Sequence, residues 1–108
     1  MAVLQEKWAG VQSVWVVPQH QNSGNFTCES HKLHIVAGGQ GAVQATLPPA
    51  LNGLNLFIKH MTTDITSDTL ELVPTGGALV DGVAGNFAVS SDKQSVHLVS
   101  DGTDWFIV

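Results

Sequence analysis

Residues 94–108 read QSVHLVSDGTDWFIV, and they are the strongest indication of the fold class in this sequence. Two runs in which apolar and polar residues alternate lie on either side of Asp101 and Gly102. An Asp-Gly pair favours a tight hairpin turn because glycine adopts positive φ readily, and the β-branched and aromatic residues around it favour strands. The stretch therefore predicts a β-hairpin that completes a sheet.

The same pattern continues upstream. Strand signals recur about every ten residues through residues 25–108, a rhythm typical of sandwiches and barrels. Residues 54–61 alternate, so Leu54, Leu56, Ile58 and His60 share one face and Asn55, Phe57, Lys59 and Met61 share the other. Residues 69–73 direct Leu70 and Leu72 inward in the same way. Eleven glycines and four prolines supply the turns. We predict an all-β domain over residues 25–108, a compact antiparallel β-sandwich that is jelly-roll-like.

Three stretches in a fixed order carry a family resemblance. Residues 24–48 (GNFTCESHKLHIVAGGQGAVQATLP) form the opening, residues 53–96 the middle, and residues 94–108 the closing segment. Together they resemble a small all-β module of tailed-bacteriophage virion proteins, found in tail and head fibres. The resemblance covers residues 25–108 and implies a structural protein that assembles as a homotrimer.

Residues 1–24 precede this module as an N-terminal arm. Leu4, Trp8, Val11 and Trp15 fall on one face of a helix, yet residues 11–17 are rich in β-branched residues and favour a strand. We expect an extended arm with a strand at residues 11–17 that Pro18 ends, and the helix stays the alternative. Because tryptophan is a common interface anchor, these four residues are candidates for binding a capsid or a neighbouring subunit. The competing interpretation is that both tryptophans pack on their own domain.

Composition limits the partners. The 108 residues include four lysines, no arginine and nine acidic residues, which gives a formal net charge of −5. This charge disfavours nucleic acid, whose binding depends on neutralising phosphates, and it disfavours anionic membranes. Charged residues make up only 12% of the chain, and uncharged polar groups are buried against a neighbour at lower cost than ions. We therefore expect a homotrimer whose interface includes one face of residues 54–61 or of the final hairpin.

No pattern of residues predicts catalysis, a cofactor or a metal. The single cysteine, Cys28, is expected to be a small buried side chain rather than a nucleophile. His31 and His34 are three residues apart, so on a strand they point to opposite faces unless the backbone turns there. The acidic residues of the segment 64–68 are typical of turns, without the spacing of a calcium loop. The expectation is a protein that is not an enzyme.

Three functions are compatible with the resemblance. The first is a capsid decoration (cement) protein that binds the outer surface of the phage head, with the major capsid protein as partner, and stabilises the shell. The chain is short for a tail fibre with its own shaft, which favours this interpretation. The alternative is a tail-fibre tip that contacts host-surface glycans, and a third is a head-fibre or baseplate scaffold.

Overall fold

The computed structural model describes residues 17–108, and all regular secondary structure in this part of the chain is strand. The strands within these residues are β1 (Val17–Gln21), β2 (Phe26–Thr27), β3 (Lys32–Ala37), β4 (Val43–Thr46), β5 (Asn52–Met61), β6 (Leu70–Val73), β7 (Phe87–Val89), β8 (Ser95–Asp101) and β9 (Trp105–Ile107). The predicted all-β class is confirmed.

The strands form two sheets that face each other across the core. The five-stranded sheet has the order β1-β3-β5-β8-β9, and the four-stranded sheet has the order β2-β4-β6-β7. From β1 to β6 the chain passes alternately from one sheet to the other, as in a short β-solenoid of two sheets. β7, β8 and β9 then pair antiparallel to their neighbours and complete the two sheets.

The direction of strand pairing corrects the sequence-based expectation. Antiparallel sheets were predicted, whereas β1–β3, β3–β5, β2–β4 and β4–β6 are parallel pairs. The glycine-rich turn after β3 does not fold the chain back along β3; it carries the chain across the core to β4 in the other sheet. Strand and turn signals at this spacing are the same for both arrangements, so the sequence alone does not distinguish them.

A single apolar cluster fills the space between the sheets. Its buried members are Cys28, Val36, Val43, Ala45, Leu47, Ala50, Leu56, Ile58, Leu70, Leu72, Ala78, Val80, Val89, Val96, Leu98 and Trp105. The inward positions of Leu70 and Leu72, predicted from alternation in β6, are confirmed. In β5 the face that includes Leu56 and Ile58 is the buried one, and all four side chains are at most 1% exposed. Each large aliphatic side chain buried in this way contributes about 1.5–3 kcal/mol to stability.

One acidic side chain fastens the loop between β3 and β4. The carboxylate of Asp68 accepts the backbone N–H of Gly39 at 2.7 Å and that of Gly41 at 3.0 Å. The buried hydroxyl of Thr62 donates to the same carboxylate at 2.8 Å. A Cβ on Gly38 would lie only 2.8 Å from the carbonyl oxygen of Met61, so the loop passes directly against the end of β5. Asp68 is therefore a structural anchor of this loop.

Two Asp-Gly pairs form different turns. Asp81 and Gly82 both have positive φ (50° and 78°), and Val80 and Val83 exchange two backbone hydrogen bonds around them. In the predicted C-terminal hairpin, which β8 and β9 confirm, positive φ occurs at Gly102. There the Asp101 carboxylate accepts the N–H groups of the two residues after Gly102. The turn is thus centred one residue later than the sequence predicts.

β1 corrects the predicted end of the first strand. Pro18 was expected to end a strand at residues 11–17, but it lies inside β1, beside Leu33 of β3. Because β1 is at the edge of its sheet, the missing N–H of proline costs no ladder hydrogen bond on the open side. Leu4, Trp8, Val11 and Trp15 lie outside the described residues, so the anchoring role and the choice of helix or strand for residues 1–16 stay predictions.

Candidate interaction surface

The five-stranded sheet turns one side away from the core, and we call this side the outer five-strand face. Side chains alternate along a strand, so the register of the pairs assigns each residue to a side. The outer five-strand face consists of Pro18 and His20 on β1, Leu33, Ile35 and Ala37 on β3, Asn55, Phe57, Lys59 and Met61 on β5, Ser95, His97, Val99 and Asp101 on β8, Phe106 on β9, and Val108 after it.

A stacked pair of rings lies in the middle of this face. The register places Leu33, Phe57 and His97 side by side on three neighbouring strands. The rings of Phe57 and His97 are stacked with their centroids 4.0 Å apart and an interplanar angle of 11°. Around them Val99 is half-buried and Phe106 is 39% exposed. The face therefore carries an apolar patch around the stacked rings.

Two polar atoms on the same face lack a partner. The Oδ1 atom of Asn55 and the Nε2 atom of His97 are shielded from solvent, and neither has a hydrogen bond within residues 17–108. Shielded polar atoms in folded proteins are nearly always hydrogen-bonded. Desolvation by burial lowers the pKa of His97 below its usual value, which keeps the ring neutral near pH 7. Both atoms are therefore covered by the chain's own side chains and lie beneath the surface of this face.

Charge is sparse on the outer five-strand face. Its lysine and aspartate, Lys59 and Asp101, lie toward opposite ends of the β5–β8 pair, where they are aligned with Ser95 and Asn52. Lys59 also donates its Nζ to the backbone carbonyl of Lys93. One positive and one negative group leave this face almost uncharged, although the whole chain has a formal net charge of −5.

The four-stranded sheet presents a different outer face. The side chains that point outward there are Thr27, Gln44, Thr46, Glu71, Val73 and Ala88. Gln44 and Asn86 each donate a side-chain amide to Glu71, at 3.4 Å and 3.3 Å. This outer four-strand face is mostly polar and internally hydrogen-bonded, so the two sides of the domain are unequal.

The histidines considered as metal ligands have separate roles. The backbone does turn at His31, whose φ is 63°, and its ring lies against Asn55, with Nδ1 3.2 Å from the amide nitrogen. His34 points into the core, and its Nε2 accepts the backbone N–H of Glu29 at 3.0 Å. His60 is also in the core, 1% exposed. Within residues 17–108 no three His, Cys, Asp or Glu side chains are grouped for a metal ion.

Cys28 occupies the buried position that the sequence predicts. It is 2% exposed and follows β2 directly. Desolvation by burial raises the pKa of its thiol to about 12. The thiolate, which is the reactive form, is therefore strongly disfavoured, and the side chain contributes to packing.

A shallow groove runs beside the edge strand β7. Its lining combines Thr69, Glu71 and Ser90 with the apolar side chains of Ile65, Leu70, Ala88 and Val89. Polar groups beside small apolar surfaces suit a sugar ring as well as a peptide. The groove is separate from the outer five-strand face, because β6 and β7 belong to the other sheet.

Comparison with known proteins adds no relative: no protein-family model matches the chain, and no curated protein matches it. In the described part of the chain, there is no helix with the length and apolar character needed to span a bilayer.

The sequence analysis named one face of residues 54–61 or of the final hairpin as the expected interface between copies. The structure brings both onto the outer five-strand face, which alternation within single strands did not reveal because it depends on which strands are neighbours.

Proposed function

We propose that this protein is a structural component of a bacteriophage virion, a capsid decoration protein that binds the outer surface of the head and stabilises the shell. The resemblance of residues 25–108 to phage fibre modules supports the virion assignment. The inequality of the two outer faces is the observation that carries the decoration role. A decoration protein must associate through one surface and remain soluble through another, and an apolar face opposite a polar face meets both requirements.

In this proposal the protein acts by adding buried contact area. A homotrimer bridges neighbouring copies of the major capsid protein, and each Å² of apolar surface removed from water contributes about 25 cal/mol. The arm residues Leu4, Trp8, Val11 and Trp15 bind the capsid or a neighbouring subunit, since large aromatic anchors dominate such interfaces. The net charge of −5 is consistent with a protein partner rather than nucleic acid or a membrane.

A test of capsid binding uses capsids of the phage whose genome encodes the chain. The wild type is expected to sediment with purified capsids, and deletion of residues 1–10 or the substitution Trp8→Ala is expected to weaken this binding. Circular dichroism of both variants checks that the β domain stays folded. Unchanged occupancy on the capsid would show that the arm is not the anchor.

The competing function is a tail-fibre tip that contacts host-surface glycans, and the groove beside β7 is the feature that favours it. Wild-type protein that fails to bind capsids but binds a glycan array would establish this alternative. Substituting Glu71→Ala in the groove would then reduce glycan binding. Electron microscopy of virions labelled with antibody against the chain locates it on the head or the tail directly.

A further inference from the structure

We infer that the outer five-strand face is the surface through which copies of this chain associate, with the stacked rings of Phe57 and His97 at its centre. The inference deepens the proposed function and rests on the self-association that it includes. It adds the location of the contact, the residues that form it and the reason that the partner is a second copy.

The outer five-strand face has the shape and chemistry of a protein contact. Leu33, Phe57 and His97 lie in one row across β3, β5 and β8, and Val99 and Phe106 are paired next to them on β8 and β9. A row of this kind on a sheet packs against another sheet at a separation of about 10 Å. An apolar, strand-wide surface of a small domain is a recognised mark of a protein contact.

The distribution of charge on the chain indicates that the partner at this face is a second copy. Copies that each carry a net charge of −5 repel one another over most of their surface. The outer five-strand face is nearly uncharged, so two copies meet there with the least repulsion. When copies follow one another head to tail around the threefold axis of a trimer, Lys59 of one approaches Asp101 of the next, because these residues are at opposite ends of the face. A basic partner would instead be attracted to the acidic surfaces elsewhere.

The test compares two valines that differ in the sheet on which they lie. Val99 is half-buried on the outer five-strand face, and Val73 is half-buried on the outer four-strand face. The substitutions Val99→Lys and Val73→Lys both make the net charge less negative, so neither weakens association through general repulsion. Sedimentation velocity is measured over a range of micromolar concentrations, with circular dichroism to check folding.

The wild type and Val73→Lys are expected to sediment as oligomers, and Val99→Lys is expected to associate at least about tenfold more weakly, a change of about 1.4 kcal/mol. If Val99→Lys does not fold, Phe106→Lys replaces it, since this side chain is already 39% exposed. Oligomers that persist in the outer five-strand variants, or that dissociate in Val73→Lys instead, would overturn the inference.

The result is independent of the capsid experiment. Dissociation of Val99→Lys together with a wild type that does not bind capsids would support the inference and reject the decoration role. A wild type that binds capsids but is monomeric at all concentrations would reject the inference and leave the capsid role supported.

Discussion

The indole nitrogen of Trp105 donates a hydrogen bond to the carbonyl oxygen of Pro48, 3.3 Å away. This bond joins the last strand, β9, to the segment between β4 and β5. Trp105 is fully buried, and its backbone also bonds to the segment after β6, where its N–H donates to Leu79 at 2.9 Å. One residue of β9 is therefore bonded to two connecting segments, through its side chain to the segment after β4 and through its backbone to the segment after β6.

Replacing this side chain is expected to destabilise the whole domain. Trp105→Ala should lower the free energy of unfolding by about 3–5 kcal/mol, because it leaves a large cavity in the core. Phe106→Ala is the matched control, since Phe106 lies on the same strand and points outward. Measured on the free subunit by denaturant unfolding, the control should change stability by less than about 1 kcal/mol. Equal losses of unfolding free energy in the two variants would show that Trp105 contributes no more to stability than the outward-pointing Phe106.

Stability is expected to fall as the pH drops below about 6.5, the usual histidine pKa. Desolvation by burial lowers the pKa of His34 and of His60 in the folded protein, more than the nearby acidic groups raise it. The unfolded chain therefore binds more protons below that pH, so the stabilisation is complete above about 6.5 and is lost as the pH falls through the lowered pKa values.

Denaturant midpoints measured between about pH 7.5 and about pH 5 test this dependence. The double substitution His34→Gln with His60→Gln should weaken this dependence and leave the part due to His97, whose pKa is also lowered by burial. Carboxylates affect stability at a lower pH than the histidines do. Hydrogen bonds from Gly39 and Thr62, for example, hold the pKa of Asp68 below its ordinary value of 3.8. A wild-type denaturant midpoint that does not change between about pH 7.5 and about pH 5 would show that the folded and unfolded chains bind the same number of protons at their histidines.

The carboxylate of Asp68 is expected to hold the loop between β3 and β4. Asp68→Asn keeps the shape of the side chain but replaces one acceptor oxygen with a donor, so Gly39 or Gly41 loses its partner. Hydrogen exchange of these two amides should become faster. Asp64→Asn is the control, because the Asp64 carboxylate accepts hydrogen bonds within its own turn, from Thr66 and Ser67. Slow exchange in Asp68→Asn would mean that the backbone alone fixes the loop.

The thiol of Cys28 is expected to be unreactive in the native protein. Burial raises its pKa to about 12, and the side chain is 2% exposed. Alkylation by iodoacetamide near pH 8 should therefore proceed only as fast as the protein unfolds, and it should be rapid in denaturant. Rapid alkylation of the folded protein would show that the Cys28 thiol is accessible to solvent, contrary to the buried position described above.

Local patterns in the sequence predicted the strands better than their arrangement. Alternation in β6 assigned Leu70 and Leu72 to the core because burial on one side leaves a period of two in the sequence. The direction of pairing depends on where each turn delivers the next strand. Gly38 illustrates this, since its loop passes against Met61 and leads to the other sheet. Nothing in the composition of that loop distinguishes this path from a hairpin.

The candidate surface was predictable only in fragments. The outward position of Phe57 follows from its place in β5, and the outward position of Val99 follows from its place in β8. Their meeting on one face requires that β5 and β8 be neighbours, a relationship between residues about forty positions apart that no short pattern encodes. The lack of a hydrogen-bond partner for Asn55 Oδ1 and His97 Nε2 depends on how the side chains pack, which the sequence pattern does not reveal.

The most direct measurement is a crystal or cryo-electron microscopy structure of the assembled protein. The outer five-strand face should be covered by another copy, with Phe57, Val99 and Phe106 losing their solvent-accessible area, while Gln44 and Glu71 on the opposite side remain in solvent. An assembly whose copies meet through the four-stranded sheet, with the accessible area of Phe57 and Val99 unchanged, would contradict self-association through the outer five-strand face.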